Sequence, residues 1–195
     1  MKRLIYFVAL ALLCVSCNEF DGPVISEDLD LRDFDAIQVD GYADILFTQA
    51  DTYGVTLRTR ESFFDRVKIR VKGRTLVIDT KSHFQWHTED IIVHIAAPCL
   101  KRIDVDGAAR FELRDGLFSD DDLKIHVDGA GQLDLSGISV RDLEVEIDGA
   151  GEVFLDGEAE NASLEIDGAG TIDARYLQVY GRLWKHISGF GEILL

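Results

Sequence analysis

The chain has 195 residues, with 20 basic against 36 acidic side chains and a formal net charge of −16. That length supports one domain with a real core, or two small ones. So acidic a body excludes nucleic acid and anionic membrane surfaces as partners held through its own face. Apolar residues make up 47%, enough to fold, and 2 Pro stand against 17 Gly, most of them in recurring short motifs.

In chain order, the first element is a targeting segment. Met1-Lys2-Arg3 is a positive start, and Leu4 to Val15 is an apolar run too short to span a bilayer as a helix. It ends in Cys14-Val15-Ser16-Cys17, and a small residue before Cys resembles a bacterial lipobox. Residues 1–16 are therefore expected to be a lipoprotein signal peptide. Cys17 is expected to be the lipidated first residue, Cys14 being the alternative and an ordinary signal peptide the simpler one. Processing would remove Lys2 and Arg3 and make the body still more acidic. Of three Cys only Cys99 would stay a thiol, so no internal disulfide is available. Asn18-Glu19-Phe20-Asp21 resembles the surface-export signal of Bacteroidetes lipoproteins. Residues 17–30 read as a lipidated linker and 31–195 as a single domain.

From Phe34 onward the sequence reads as strands. Phe34–Val39, Asp44–Phe47, Gly54–Leu57, Val67–Val71, Leu76–Ile78 and Ile91–Ile95 carry the β-branched, alternating pattern. Basic residues gather here: Arg58, Arg60, Arg66, Lys68, Arg70, Lys72 and Arg74. This half is expected to be less regular, partly antiparallel, and to cap one end of the more regular second half. Between its strands lies a loop with His83, Phe84, Trp86 and His87. Aromatic residues among polar ones stack on sugars or anchor proteins, and this loop is the candidate ligand contact; the structural alternative has Trp86 plugging one end of the fold.

The second half repeats itself. Val105-Asp106-Gly107-Ala108-Ala109 recurs as Val127-Asp128-Gly129-Ala130-Gly131, Ile147-Asp148-Gly149-Ala150-Gly151 and Ile166-Asp167-Gly168-Ala169-Gly170. A degraded copy, Ile187-Ser188-Gly189-Phe190-Gly191, closes the chain. Successive copies start 22, 20, 19 and 21 residues apart. Alternating apolar residues flank every copy, so each unit is strand, Gly-rich corner, strand, turn. Two short strands cannot bury a face alone, and near-constant length suits coils that return to the same place. The expected fold is all-β: a right-handed parallel β-helix, or β-solenoid, of about twenty residues per coil. Gly is expected to give the corner a positive φ or space, Ala to point inward, and Asp to cap backbone N–H groups. A Ca²⁺ ladder along Asp106, Asp128, Asp148 and Asp167 is the alternative to capping.

These residues together resemble the family described as putative auto-transporter adhesin, head GIN domain. The likeness rests on Phe34-x-x-Ile37-x-Val39-x-Gly41, on Ile91-x-Val93-x-Ile95-x-x-Pro98-x-Leu100, and on the Gly-Ala-Gly units at 129–131, 149–151 and 168–170. It implies a β-helix in exported, often lipid-anchored proteins, and no catalytic motif to transfer.

No His or Cys spacing points to zinc, and His83 with His87 would need a helix to share a metal. No metal or cofactor is expected. Carboxylate pairs of glycosidase type are available by chance around Asp134 and Glu152. A lyase would need basic residues, and Lys124, Arg141 and Arg175 share no register. The expected function is a lipid-anchored, cell-envelope binding or adhesion module without catalysis, on the outer membrane and possibly surface-exposed. Its ligand would be a glycan or protein, its membrane contact the lipid alone, and homo-oligomers are open to it. A carbohydrate-active β-helix enzyme and a structural or assembly lipoprotein are the alternatives.

Overall fold

The computed structural model describes residues 22–80 and 91–195. The signal segment, Cys17 and the loop with His83, Phe84, Trp86 and His87 lie outside them. Among the described residues, sixteen strands form one curled, mixed sheet, with one helical turn beside it. The irregular half holds β1 (Val24–Leu29), β2 (Ala36–Asp40), β3 (Tyr42–Gln49), β4 (Gly54–Arg60), α1 (Glu61–Phe64), β5 (Lys68–Lys72), β6 (Thr75–Asp79) and β7 (Ile92–Ala97). The repeats hold β8 (Arg102–Val105), β9 (Ala108–Arg114), β10 (Leu117–Phe118), β11 (Leu123–Val127), β12 (Ala130–Ile147), β13 (Ala150–Ile166), β14 (Thr171–Val179), β15 (Leu183–Ile187) and β16 (Glu192–Leu194).

Pairing follows the repeat. In a first ladder, β6, β2, β8, β11, the end of β12, the end of β13 and β15 lie side by side, all parallel. Within it Ile103 faces Ile125, Ile125 faces Val145, Val145 faces Leu164 and Leu164 faces Lys185. Those offsets equal the motif spacings, so each sequence copy pairs with the next. A second parallel ladder runs β7, β3, β9, the start of β12, the start of β13, β14 and β16. A third, shorter one joins β10, β12, β13 and β14. The bends between the second and third ladders fall at Gly137, with φ 79°, and Gly157, with φ 126°, where a side chain would strain the backbone.

Like residues therefore line up in columns. Val39, Val105, Val127, Ile147 and Ile166 form one inward column, each fully buried. Phe47 and Phe111 stack at 6.3 Å in the second ladder. A single core of such columns runs through the described residues, from Phe34 to Ala174.

The antiparallel pairs are β1 with β4, β4 with β7, and β5 with β6. All lie at the N-terminal end of the ladders, and they make the sheet mixed. Phe64, Val67, Ile69 and Val71 close the core there. β1 starts at Val24, inside the segment 17–30 that the sequence reads as a linker. Its residues are mostly exposed and show no alternation, which is why the pattern misses it.

Candidate functional site

The Gly-rich corners sit between the first and second ladders. Each corner is held by main chain: the N–H groups of Asp128 and Gly129 donate to the carbonyl of Val105, at 3.0 and 3.1 Å. Asp148 and Gly149 donate likewise to Val127, and Asp167 and Gly168 to Ile147. Asp106, which starts the first corner, donates to Val39. The first Gly of each copy is there for space. A Cβ at Gly107 would lie 2.1 Å from the carbonyl oxygen of Gly41, at Gly129 1.8 Å from that of Gly107, and at Gly149 2.1 Å from that of Gly129. At Gly168 it would lie 2.0 Å from that of Gly149.

The side chains depart from expectation in two ways. Ala130, Ala150 and Ala169 face outward, while Gly131 and Gly151 are buried against Val127 and Ile147, and Gly170 also abuts Ile147. Period two runs straight through the corner, so odd and even positions keep their sides. The carboxylates of Asp106, Asp128, Asp148 and Asp167 point to solvent, and none caps a backbone N–H among the described residues. Asp106 accepts from Gln38 Nε2 at 3.0 Å, and Asp167 accepts from the Ser188 hydroxyl.

The outward alanines make the floor of a shallow groove. Ala108, Ala130, Ala150 and Ala169 run along it, Tyr42 stands at one end and Phe190 at the other, and its volume is about 640 Å³. Phe190 occupies the alanine position of the last copy and is 93% exposed.

It belongs to a larger apolar surface at the C-terminal end of the ladders. Every residue of β15 is exposed. Ile187 continues the column of buried Val and Ile yet is 42% exposed, because no further strand among the described residues covers it. Trp184 is 50% exposed, with its ring stacked on His186 at 5.8 Å, and Tyr176 and Tyr180 are each 64% exposed. Among the described residues β15 pairs with β13 alone, so its other edge offers backbone N–H and C=O groups.

The family model described as putative auto-transporter adhesin, head GIN domain, matches residues 33–193. The chain belongs to this family. Among solved structures, a putative adhesin from Bacteroides fragilis is 21% identical, with a TM-score of 0.78 over 89% of this chain and 97% of that one. A putative adhesin from Parabacteroides distasonis is 23% identical, with a TM-score of 0.61 over 89% and 97%. A protein from the same species described as a putative lipid binding protein is 18% identical, with a TM-score of 0.55 over 89% and 96%. At these identities the likeness shows a shared fold. No curated protein matches the chain. Nothing in the family's description names an enzyme. Adhesins work outside the cytoplasm, and among the described residues no helix is long and apolar enough to cross a membrane.

The carboxylates and cations weighed for catalysis are dispersed or neutralised. Asp134 lies in a column with Glu112 and Phe154, whereas Glu152 lies in another with Gln132 and Thr171. Lys124 pairs with Glu144, Arg141 with Asp122 and Asp142, and Arg175 with Asp173. The arginine contacts hold the carboxyl of Asp173 below the usual range, and at Asp142 a hydrogen bond from Asn161 does so before Arg141 adds to it. Trp184, Phe190, Tyr176 and Tyr180 belong to no recognisable site motif in the sequence. The available signal was the degraded last copy, which puts Phe190 where earlier copies have Ala, and Lys185 where they have Ile, Val and Leu.

Proposed function

We propose that this chain is a non-catalytic binding module of the cell envelope, and that it takes up an extended strand of a partner protein on its C-terminal end. The observation that carries this is β15: an unpaired edge whose side chains, Leu183, Trp184 and Ile187 among them, lie open to solvent. Strand addition uses both features, the backbone edge for affinity and the apolar side chains for selection. The opposite end is closed by charged strands, so the exposure is not general to the fold. A second copy is disfavoured by the net charge of −16, which makes like molecules repel.

Within this reading the ladders are successive turns of a right-handed parallel β-helix. The pairing of each repeat with the next, at offsets equal to the repeat spacing, supports it. Residues 1–16 are the leader and Cys17 the lipid-bearing residue. The tether then runs to β1, and the domain 31–195 gains β1 as its outermost strand. The protein stands on the outer membrane by its lipid alone, with the aromatic end free.

The test uses the intact chain carrying Trp86→Phe, so that Trp184 is the one indole. Its fluorescence is followed against synthetic ten-residue peptides of alternating apolar and polar residues, and the same protein is applied to a glycan array. Saturable peptide binding that is lost in Trp184→Ala and Ile187→Lys is expected. Glycan binding that survives both substitutions would overturn the proposal, as would concentration-dependent dimers that bury Trp184.

A further inference from the structure

The register of the first ladder brings together side chains far apart in sequence, on its outward face. His126 on β11 faces Glu146 on β12, Glu146 faces Glu165 on β13, and Glu165 faces His186 on β15. One column over, at the corners, stand Asp148 and Asp167. Two clusters result: His126, Glu146 and Asp148 in one, Glu165, Asp167 and His186 in the other. In each, the three donor atoms lie within 4.8 Å of one another.

We propose that this face holds two divalent transition-metal cations of the zinc class, one in each cluster. The donor set decides the class. One imidazole nitrogen and two carboxylate oxygens suit zinc and its neighbours, with further positions left for water, whereas Ca²⁺ and Mg²⁺ take oxygen alone. A second observation points the same way. Nδ1 of His126 is shut off from solvent and has no hydrogen-bond partner. It lies 3.3 Å from a Glu146 oxygen, near enough for an ion pair but outside hydrogen-bond alignment. An orphaned polar atom of this kind is costly, and a cation between imidazole and carboxylate removes the cost. The remaining corner carboxylates, Asp106 and Asp128, belong to neither cluster.

The two cations would sit roughly 10 Å apart, two strand spacings, too far to share a ligand. The second would join β13 to β15, the exposed last strand, and so brace the end proposed to meet the partner. The metal sites stand or fall independently of that partner.

The experiment is equilibrium dialysis of the full chain against Zn²⁺, with Co²⁺ as a spectroscopic substitute. His126→Gln and His186→Gln are each expected to remove one bound equivalent, and Glu146→Gln to remove the first, since it takes away one of that site's three donors. Asp106→Asn should leave uptake unchanged, and circular dichroism should show every variant folded. In the Trp86→Phe chain, Cu²⁺ should quench Trp184 fluorescence, since its ring stacks on His186, and His186→Gln should abolish that quenching. Zinc uptake unchanged by both His substitutions would overturn the proposal, as would displacement of zinc by an equal concentration of Ca²⁺.

Discussion

The two ends of the ladders solve one problem in opposite ways. Any stack of strands ends in unpaired edges, and edges invite other chains. At the N-terminal end the outermost strands are β1 and β5. β5 turns Lys68, Arg70 and Lys72 to solvent, and β1 shows Ser26, Glu27 and Asp28. Antiparallel pairing, α1 and the side chains of Phe64, Ile69 and Val71 close the core beneath them. At the C-terminal end the last strand presents Leu183, Trp184 and Ile187, and only Lys185 interrupts the apolar column. The same architecture thus carries a guarded end and an open one. The difference lies in the antiparallel strands and α1 that close one end, and in the apolar side chains that the other end leaves open.

The largest effect should come from the middle of the ladders, where both ends lean on the same corners. Gly149→Ala drives a Cβ into the carbonyl of Gly129 and should cost about 3 kcal/mol or more in a denaturant melt. Gly189→Ala meets the carbonyl of Gly168 at 1.9 Å, but it lies in the corner between β15 and β16, at the end of the ladders. It should release β15 and β16 locally, seen as lost amide protection there, with the global midpoint nearly kept. Next is the apolar column itself. Ile147→Ala, at a fully buried position, should cost about 2–5 kcal/mol, while Ile187→Ala in the same column should cost under about 1 kcal/mol. Equal costs would mean that the C-terminal end is covered. Smallest in stability is Arg70→Val on β5, an exposed position whose change should leave the midpoint in place. It should still raise association in sedimentation, because it removes one of the charges that guard that edge.

How much of this could be read beforehand depends on what each feature requires. The strands and inward columns were legible because period-two alternation and the spacing of 22, 20, 19 and 21 are local facts. The facing of Ala130 was misjudged because a Gly-rich corner suggests a break in parity, whereas the backbone keeps alternating through it. β1 went unseen because Glu27 and Asp28 interrupt any apolar pattern on an edge strand. The clusters at His126 and His186 are invisible to spacing rules made for a single helix or loop. They become visible once a residue is compared with those one repeat before and after it: His126 then meets Glu146, and His186 meets Glu165. Trp184 and Phe190 were readable as departures from the repeat, but their exposure depends on how the last strands pair, which the repeat does not state.

Whether the C-terminal end is a contact surface is tested most directly by amide hydrogen exchange. The intact chain is exchanged alone and with a saturating ten-residue peptide of alternating apolar and polar residues, and each strand is followed. Protection gained on β15 and β16, with β1 and β5 unchanged, is the expected result. Protection gained at β1 or β5, or none at either end, would contradict it.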